Sequence, residues 1–364
     1  MKIKEITQLI EKFAPLPLQE SYDNSGLLIG DPGTQASGAL VTLDVTDEVV
    51  KEAVDHKFNL IIAHHPLIFK GLKKINSGNM IGRIVAGCIK NDIAVYAAHT
   101  NLDNVAGGVN RVITDKLGLK NVNILSGKPG QLRKLVVFVP EDHAQPVREA
   151  IFNAGAGHIG NYDSCSFNTP GNGTFRALEG ADPFVGNMNE LHFEKELRVE
   201  FIYPQYREKD ILSALFRAHP YEEVAYDVYP LENSFSDVGS GMIGELEQPE
   251  ETLKFLHRVK RTFGAGCIRH TAIVKDRIKK VAVCGGSGSF LIPNAIKAGA
   301  DIYISGDIKY HEFFDADGRI TIADIGHYES EQFTKELLMN LIKKNFSNFA
   351  VQISAVNTNP INYL

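Results

Sequence analysis

Between residues 39 and 118 short, wholly apolar runs alternate with amphipathic stretches, and this pattern limits the fold more than any other feature. "ALVTLDVT" reads as a buried strand, "DEVVKEAVDHK" as a helix, "NLIIAH" as a strand and "NMIGRIVAGCIKND" as a helix. "IAVYAAH" is then a strand and "AGGVNRVITDKLG" a helix. Strands apolar on both faces must be covered on both faces. Intervening helical stretches of about 10–15 residues do this as crossovers of a parallel sheet. The same grammar returns in "KKVAVCGG", "FLIPNAIKAGA", "DIYISG", "KYHEFFDAD", "ITIADIG", "SEQFTKELLMNLIKK" and a closing strand "FAVQISAV".

The middle of the chain reads differently. After the turn cluster "SGKPG" come a strand "KLVVFVP", a helix "AQPVREAIFNAGAG", and strands "SCSFNT" and "GTFRAL". "ELRVEFIYP", "REKDILSALFRAHP" and "EEVAYDVYPL" add strand, helix and strand, a split βαβ pattern with its own small sheet. The expected fold class is α/β: a duplicated parallel-sheet domain interrupted by a ferredoxin-like α+β insert. Residues 127–240 form the insert, and residues 1–126 and 241–364 the two halves of the outer domain.

The two outer halves resemble each other. "FNLIIAHHPLIF" aligns with "ADIYISGDIKYH", and "IAVYAAHTNLD" with "ITIADIGHYESE". The second alignment sets His99 over His327 and Asp103 over Glu331. Each half thus ends a strand on histidine and carries a carboxylate four residues later. Ligands of parallel α/β sheets gather beyond the carboxyl ends of strands, where His64, His65, His99 and His327 are all expected. His327 and Glu331 share one face if they open the last helix.

Imidazole and carboxylate together suit Zn²⁺, Fe²⁺, Mn²⁺ or Co²⁺. His64, His65, Asp103, His327 and Glu331 are generous for one ion and sparse for two closed sites. They fit two ions that share a carboxylate and keep positions open for water, the mark of catalytic metal. Such a pair polarises a carbonyl or phosphoryl oxygen. Each element also has a plain structural reading: Asp103 caps the next helix, and His327 with Glu331 is an exposed helix pair. Their coincidence at the ends of matching strands favours metal. "CGGSGSF" (284–290) follows a strand and precedes a helix, where it could cradle a phosphate. Leu291 stands where a third glycine of a dinucleotide fingerprint belongs, which favours a tight turn. Asp307 aligns with His65 and is expected at the site rim, while His311 and Glu312 read as solvated helix residues. Asp23 and Asn24 in "YDNSGLLIG" are either substrate contacts or turn-stabilising side chains.

The formal net charge of −6 argues against a nucleic-acid surface. Cys88, Cys165, Cys267 and Cys284 show no C-x-x-C spacing and read as reduced core thiols. No apolar run approaches the ~18 residues of a membrane span. The first residues read as an amphipathic helix without a signal h-region. A soluble cytoplasmic protein is expected.

"SYDNSGLLIG", "AHHPLIFKGLKKI", "HTNLDNVAGGVN", "SGD" and "GHYESE" together resemble the interacting-factor-three-like (NIF-three-like) family, whose members are also labelled GTP cyclohydrolase 1 type 2 homologues. The resemblance implies a dinuclear metal centre in a toroidal homohexamer with sites facing the interior, and a PII/CutA-like middle domain. It implies His64, His65, Asp103, His327 and Glu331 as ligands, with Glu331 bridging. It places His99 outside the ligand set, in a supporting or proton-transfer role. Tyr22 stands where many members carry tryptophan, and the chain has no tryptophan at all. The resulting expectation is a hydrolase of a small substrate, a nucleotide among the candidates, using two divalent ions per chain, zinc ahead of iron or manganese. His99 or Asp307 would be its general acid or base. The alternative is a metal chaperone, or a regulatory or scaffold protein with a protein partner and no turnover.

Overall fold

The computed structural model describes residues 1–364. The chain forms two compact units, Met1–Gly127 with Ser236–Leu364, and Lys128–Phe235. No helix is long and apolar enough to cross a membrane.

The discontinuous unit holds two sheets. In the first the strand order is Gly26–Ile29, Ala94–Ala97, Leu60–Ala63, Ala39–Thr42, Val351–Ile353. Its three central strands are buried at every residue, as their wholly apolar sequences require. Helices Asp47–Asp55 and Met80–Lys90 cover this sheet with Val49, Ala53, Ile84 and Cys88. Thr46 and Asn79 cap those helices by accepting from Val49 N and Gly82 N, satisfying donors that the first turn leaves free. The second sheet runs Arg269–His270, Thr321–Asp324, Ile302–Gly306, Arg277–Ser287, Phe235–Glu251, Lys120–Lys128.

The duplication is visible in the topology. Each sheet begins with an antiparallel edge strand followed by three parallel strands. Leu60 pairs with Ala94 as Ile302 pairs with Thr321. That register makes His99 the counterpart of Gly326, not of His327, so the expected histidine match is off by one residue. The inserted residue is Gly326, at φ +95°, a conformation that costs glycine little. His99 consequently caps its short helix while His327 opens the other.

Other expectations need correction. The sheets are mixed, because each carries an antiparallel edge strand, Gly26–Ile29 in the first and Arg269–His270 in the second. Val351–Ile353 joins the first sheet beside Ala39–Thr42, so the second half is not self-contained. "KYHEFFDAD" forms a 3₁₀ stretch, Tyr310–Ala316. His327–Glu331 is a five-residue helix separate from Thr334–Asn345. Cys88 and Cys284 are buried, but Cys165 is half-buried and Cys267 exposed.

The second unit is strand, helix, two strands, helix, strand. Its sheet order is Phe167–Arg176, Leu191–Pro204, Leu132–Pro140, Tyr226–Leu231, with every neighbouring pair antiparallel. This is the ferredoxin-like arrangement. Leu135, Val137, Val139, Val199, Phe201 and Tyr203 face helices Ala144–Asn153 and Glu208–Ala218. The expected strands "SCSFNT" and "GTFRAL" are one continuous strand, running through "PGNG" without a turn. The unit ends at Phe235 instead of 240, because residues 236–240 continue into a strand of the outer unit. Asn104 anchors them there, its carbonyl accepting from Gly239 N and its side chain from Ser240 Oγ.

Candidate metal centre

The carboxyl ends of the parallel strands of both sheets converge. Asp44 follows Ala39–Thr42, His64 and His65 follow Leu60–Ala63, and His99 follows Ala94–Ala97. Asp103 ends the short helix Thr100–Asp103; it sits within the cluster and does not cap the next helix. From the other half come Asp307, just past Ile302–Gly306, and the helix His327–Glu331.

Two groups of donors meet at Glu331. His65 Nε2 lies 2.9 Å and His327 Nε2 3.0 Å from Glu331 Oε2, and the two nitrogens are 3.2 Å apart. On the other side, the buried His64 Nε2 lies 3.7 Å from both Asp103 Oδ1 and Glu331 Oε2.

The outer nitrogens fix the tautomers. His65 Nδ1 donates to Asp44 Oδ1 at 2.8 Å, His327 Nδ1 to Asp307 Oδ2 at 2.7 Å, and His64 Nδ1 to the Ala98 carbonyl at 2.8 Å. A carboxylate or carbonyl can only accept, so each Nδ1 carries the hydrogen and each Nε2 presents a lone pair inward. Lone pairs on His65, His327 and Glu331 cannot bond one another without shared positive charge. His64 Nε2 and Asp103 Oδ1 are buried without a hydrogen-bond partner. Orphaned acceptors of this kind, with outer carboxylates orienting the rings, fit a divalent cation.

Electrostatics express the same demand through protons. Burial would lower the pKa of His65, but its bonds to Asp44 and Glu331 outweigh it and hold the ring at about 9. Burial also opposes the charge on His327, yet the Glu331 charge and the bonds to Asp307 and Glu331 push it up to about 11. Burial pushes Asp103 up to about 7, with the Glu331 charge adding to it. Glu331 resists burial and stays well below the usual carboxylate range because of His64 and His327.

Gly285 and Gly286 of "CGGSGSF" make room for Glu331. Gly286 sits at φ +63°, and a Cβ there would lie 2.3 Å from Glu331 Oε1. Gly286 N also donates to Ser330 Oγ at 2.9 Å. The turn therefore serves the carboxylate of the neighbouring helix. Gly286→Ala is expected to displace that carboxylate and lower metal content below half of wild type, read by elemental analysis. Full retention would show that the turn has slack.

The Asp23 side chain is fully buried and accepts from His99 Nδ1 at 2.8 Å, Thr100 N at 3.0 Å and Ser25 Oγ at 3.0 Å. Asn24 Nδ2 donates to the Ile68 carbonyl. The structural reading of "YDNSG" thus holds for both, with Asp23 aiming His99. The His99 ring lies edge-on to His64 and His65, with ring centroids 5.3 and 5.4 Å away. The supporting carboxylates Asp44 and Asp23 escaped sequence reading in these roles. Asp44 ends a strand as His65 does, and that position was its one available signal. His311 lies outside the cluster, and Glu312 accepts from Lys309 N. A cavity of about 990 Å³ opens over the centre, with Tyr22, Phe69, Phe290 and Ile361 on its apolar wall.

A family model described as Duf34/NIF3 (NGG1p interacting factor 3) matches residues 1–360. A Halalkalibacterium halodurans protein named GTP cyclohydrolase 1 type 2 homolog is 41% identical over 365 residues, covering 99% of this chain and 98% of its own. A Bacillus subtilis protein of the same name is 40% identical over 367 residues, with the same coverage of 99% and 98%. The crystal structure of a Bacillus cereus protein related to NIF3 superposes with a TM-score of 0.86 at 40% identity, covering 100% of this chain and 99% of that one.

Proposed function

This chain belongs to the Duf34/NIF3 family, and from that membership and the donors converging on Glu331 we propose that it is a dinuclear metal-dependent hydrolase of a small molecule. His64, Asp103 and Glu331 would hold one divalent ion, and His65, His327 and Glu331 the other. The sharing of Glu331 Oε2 between the two groups is the observation that carries this reading. Mixed imidazole and carboxylate donors favour zinc, with iron and manganese next. When bound, such a pair supplies Lewis-acid polarisation and an acidified water.

The chain's own groups divide the remaining work. Asp44 and Asp307 orient His65 and His327. The bond that Asp307 accepts from His327 Nδ1 supports a positioning role for it, with His99 as the proton-transfer group of this reading. Asp23 holds the His99 Nδ1 hydrogen, so Nε2 is free to take or deliver a proton at the cavity floor. The names of the relatives point toward hydrolytic opening of a nucleotide ring.

The test supplies GTP, phosphoesters and small amides to protein reconstituted with Zn²⁺, Mn²⁺ or Fe²⁺. Turnover above a Glu331→Ala control is expected with at least one metal. Rapid metal exchange with no turnover on any substrate would instead support a metal carrier.

A further inference from the structure

The segment "TPGNGT", residues 169–174, is a poor strand sequence, yet it lies inside the continuous strand Phe167–Arg176. Proline is tolerated because this strand is at the sheet edge. Glycine inside a strand often marks close approach by another group. Here Gly171 lies opposite Glu196, and a Cβ on Gly173 would stand 2.1 Å from Glu196 Oε2. The two glycines leave bare floor around one carboxylate.

That carboxylate lies on the face of the sheet away from the helices. Val199, Phe201 and Tyr203 face the helices, so alternation turns Glu196 and Arg198 the other way. Loops 177–184 and 221–225 roof a cavity of about 630 Å³ over this face. Glu196 is only 8% exposed, and its hydrogen-bond partner is a neutral group, the Tyr221 hydroxyl, at 3.0 Å. A buried carboxylate without a cation is costly.

The walls suit a cation. Tyr221 lies among Phe175 and Phe184, with ring centroids 6.2 and 6.1 Å from its own. Aromatic faces attract a desolvated positive charge through their quadrupoles. Among the charged residues lining the cavity, Arg198 is paired with Glu200 at 3.0 Å, which leaves Arg176 against the three carboxylates of Glu196, Glu222 and Glu223. The lining carries a surplus of negative charge, and Glu196 is its buried member.

We propose that this cavity binds a small organic cation, an amine or a quaternary ammonium, with Glu196 as its counter-charge. It lies wholly within the ferredoxin-like unit and makes that unit a sensor or carrier of such a ligand.

The experiment titrates the full chain with choline and with its neutral isostere, 3,3-dimethylbutan-1-ol, by calorimetry. Saturable choline binding is expected, at least about tenfold tighter than the isostere. Glu196→Gln should abolish that preference, and Phe184→Ala, at a half-exposed position, should weaken choline alone. Each variant is checked for unchanged far-ultraviolet dichroism. Absence of saturable choline binding, equal binding of the isostere, or an unchanged preference in folded Glu196→Gln would overturn the proposal.

Discussion

Glu331→Gln is expected to empty both metal positions at once. The amide keeps the size of the side chain but removes the only charge shared by the two donor groups. Its Oε2 stands within 3.0 Å of His65 and His327 and 3.7 Å of His64, so it is the carboxylate common to both sets. Loss of an outer-shell partner typically costs 10–100-fold in affinity, and loss of a shared ligand costs more. Metal content should fall from about two ions per chain to well under one. His64→Ala, which touches one group only, should remove about one ion and leave the other. Elemental analysis after dialysis decides the matter: two ions retained in Glu331→Gln would refute the shared-ligand arrangement.

Removing metal is expected to reverse the response of stability to alkali. In the metal-free chain His65 is raised from its ordinary 6.5 to about 9. A raised histidine contributes stability that is fully present below the unfolded value. The contribution fades as pH rises through the folded value. The metal-free protein should therefore lose on the order of 3 kcal/mol between about pH 6.5 and 9. His327, raised higher still, extends the loss to stronger alkali. Metal must displace these same protons, so binding should release protons at pH 7 and tighten as pH rises toward 9. Thermal unfolding with and without chelator across this range tests the first point, and calorimetry in buffers of different ionisation enthalpy tests the second. Parallel pH curves for the two forms would sink the assignment of His65 and His327 to the centre.

The duplicated grammar was legible because two-faced apolar strands leave few alternatives. "NLIIAH" and "DIYISG" had to lie in the middle of sheets, and both do. Residues that act at strand ends inherit their positions from this pattern, which is why His64, His65, Asp307 and the His327–Glu331 pair could be picked out together. The one-residue offset between His99 and His327 was not legible. It depends on strand register and on the positive φ of Gly326, and neither leaves a periodic trace. "PGNG" misled for a related reason. Its local preference is a turn, but pairing with the long strand Leu191–Pro204 overrides it.

The sequence by itself determined the layering, the insertion and the chemical types gathered at the strand ends, because hydrophobic period and residue chemistry are local properties. Only the tertiary structure decided which atoms meet. It brought Glu331 against His65 across 266 positions, turned each Nδ1 to Asp44, Asp307 or Ala98, and set Asp23 behind His99. Those contacts cross between halves and between strands. Their directions follow from packing and hydrogen-bond satisfaction in three dimensions, which no stretch of the chain encodes alone.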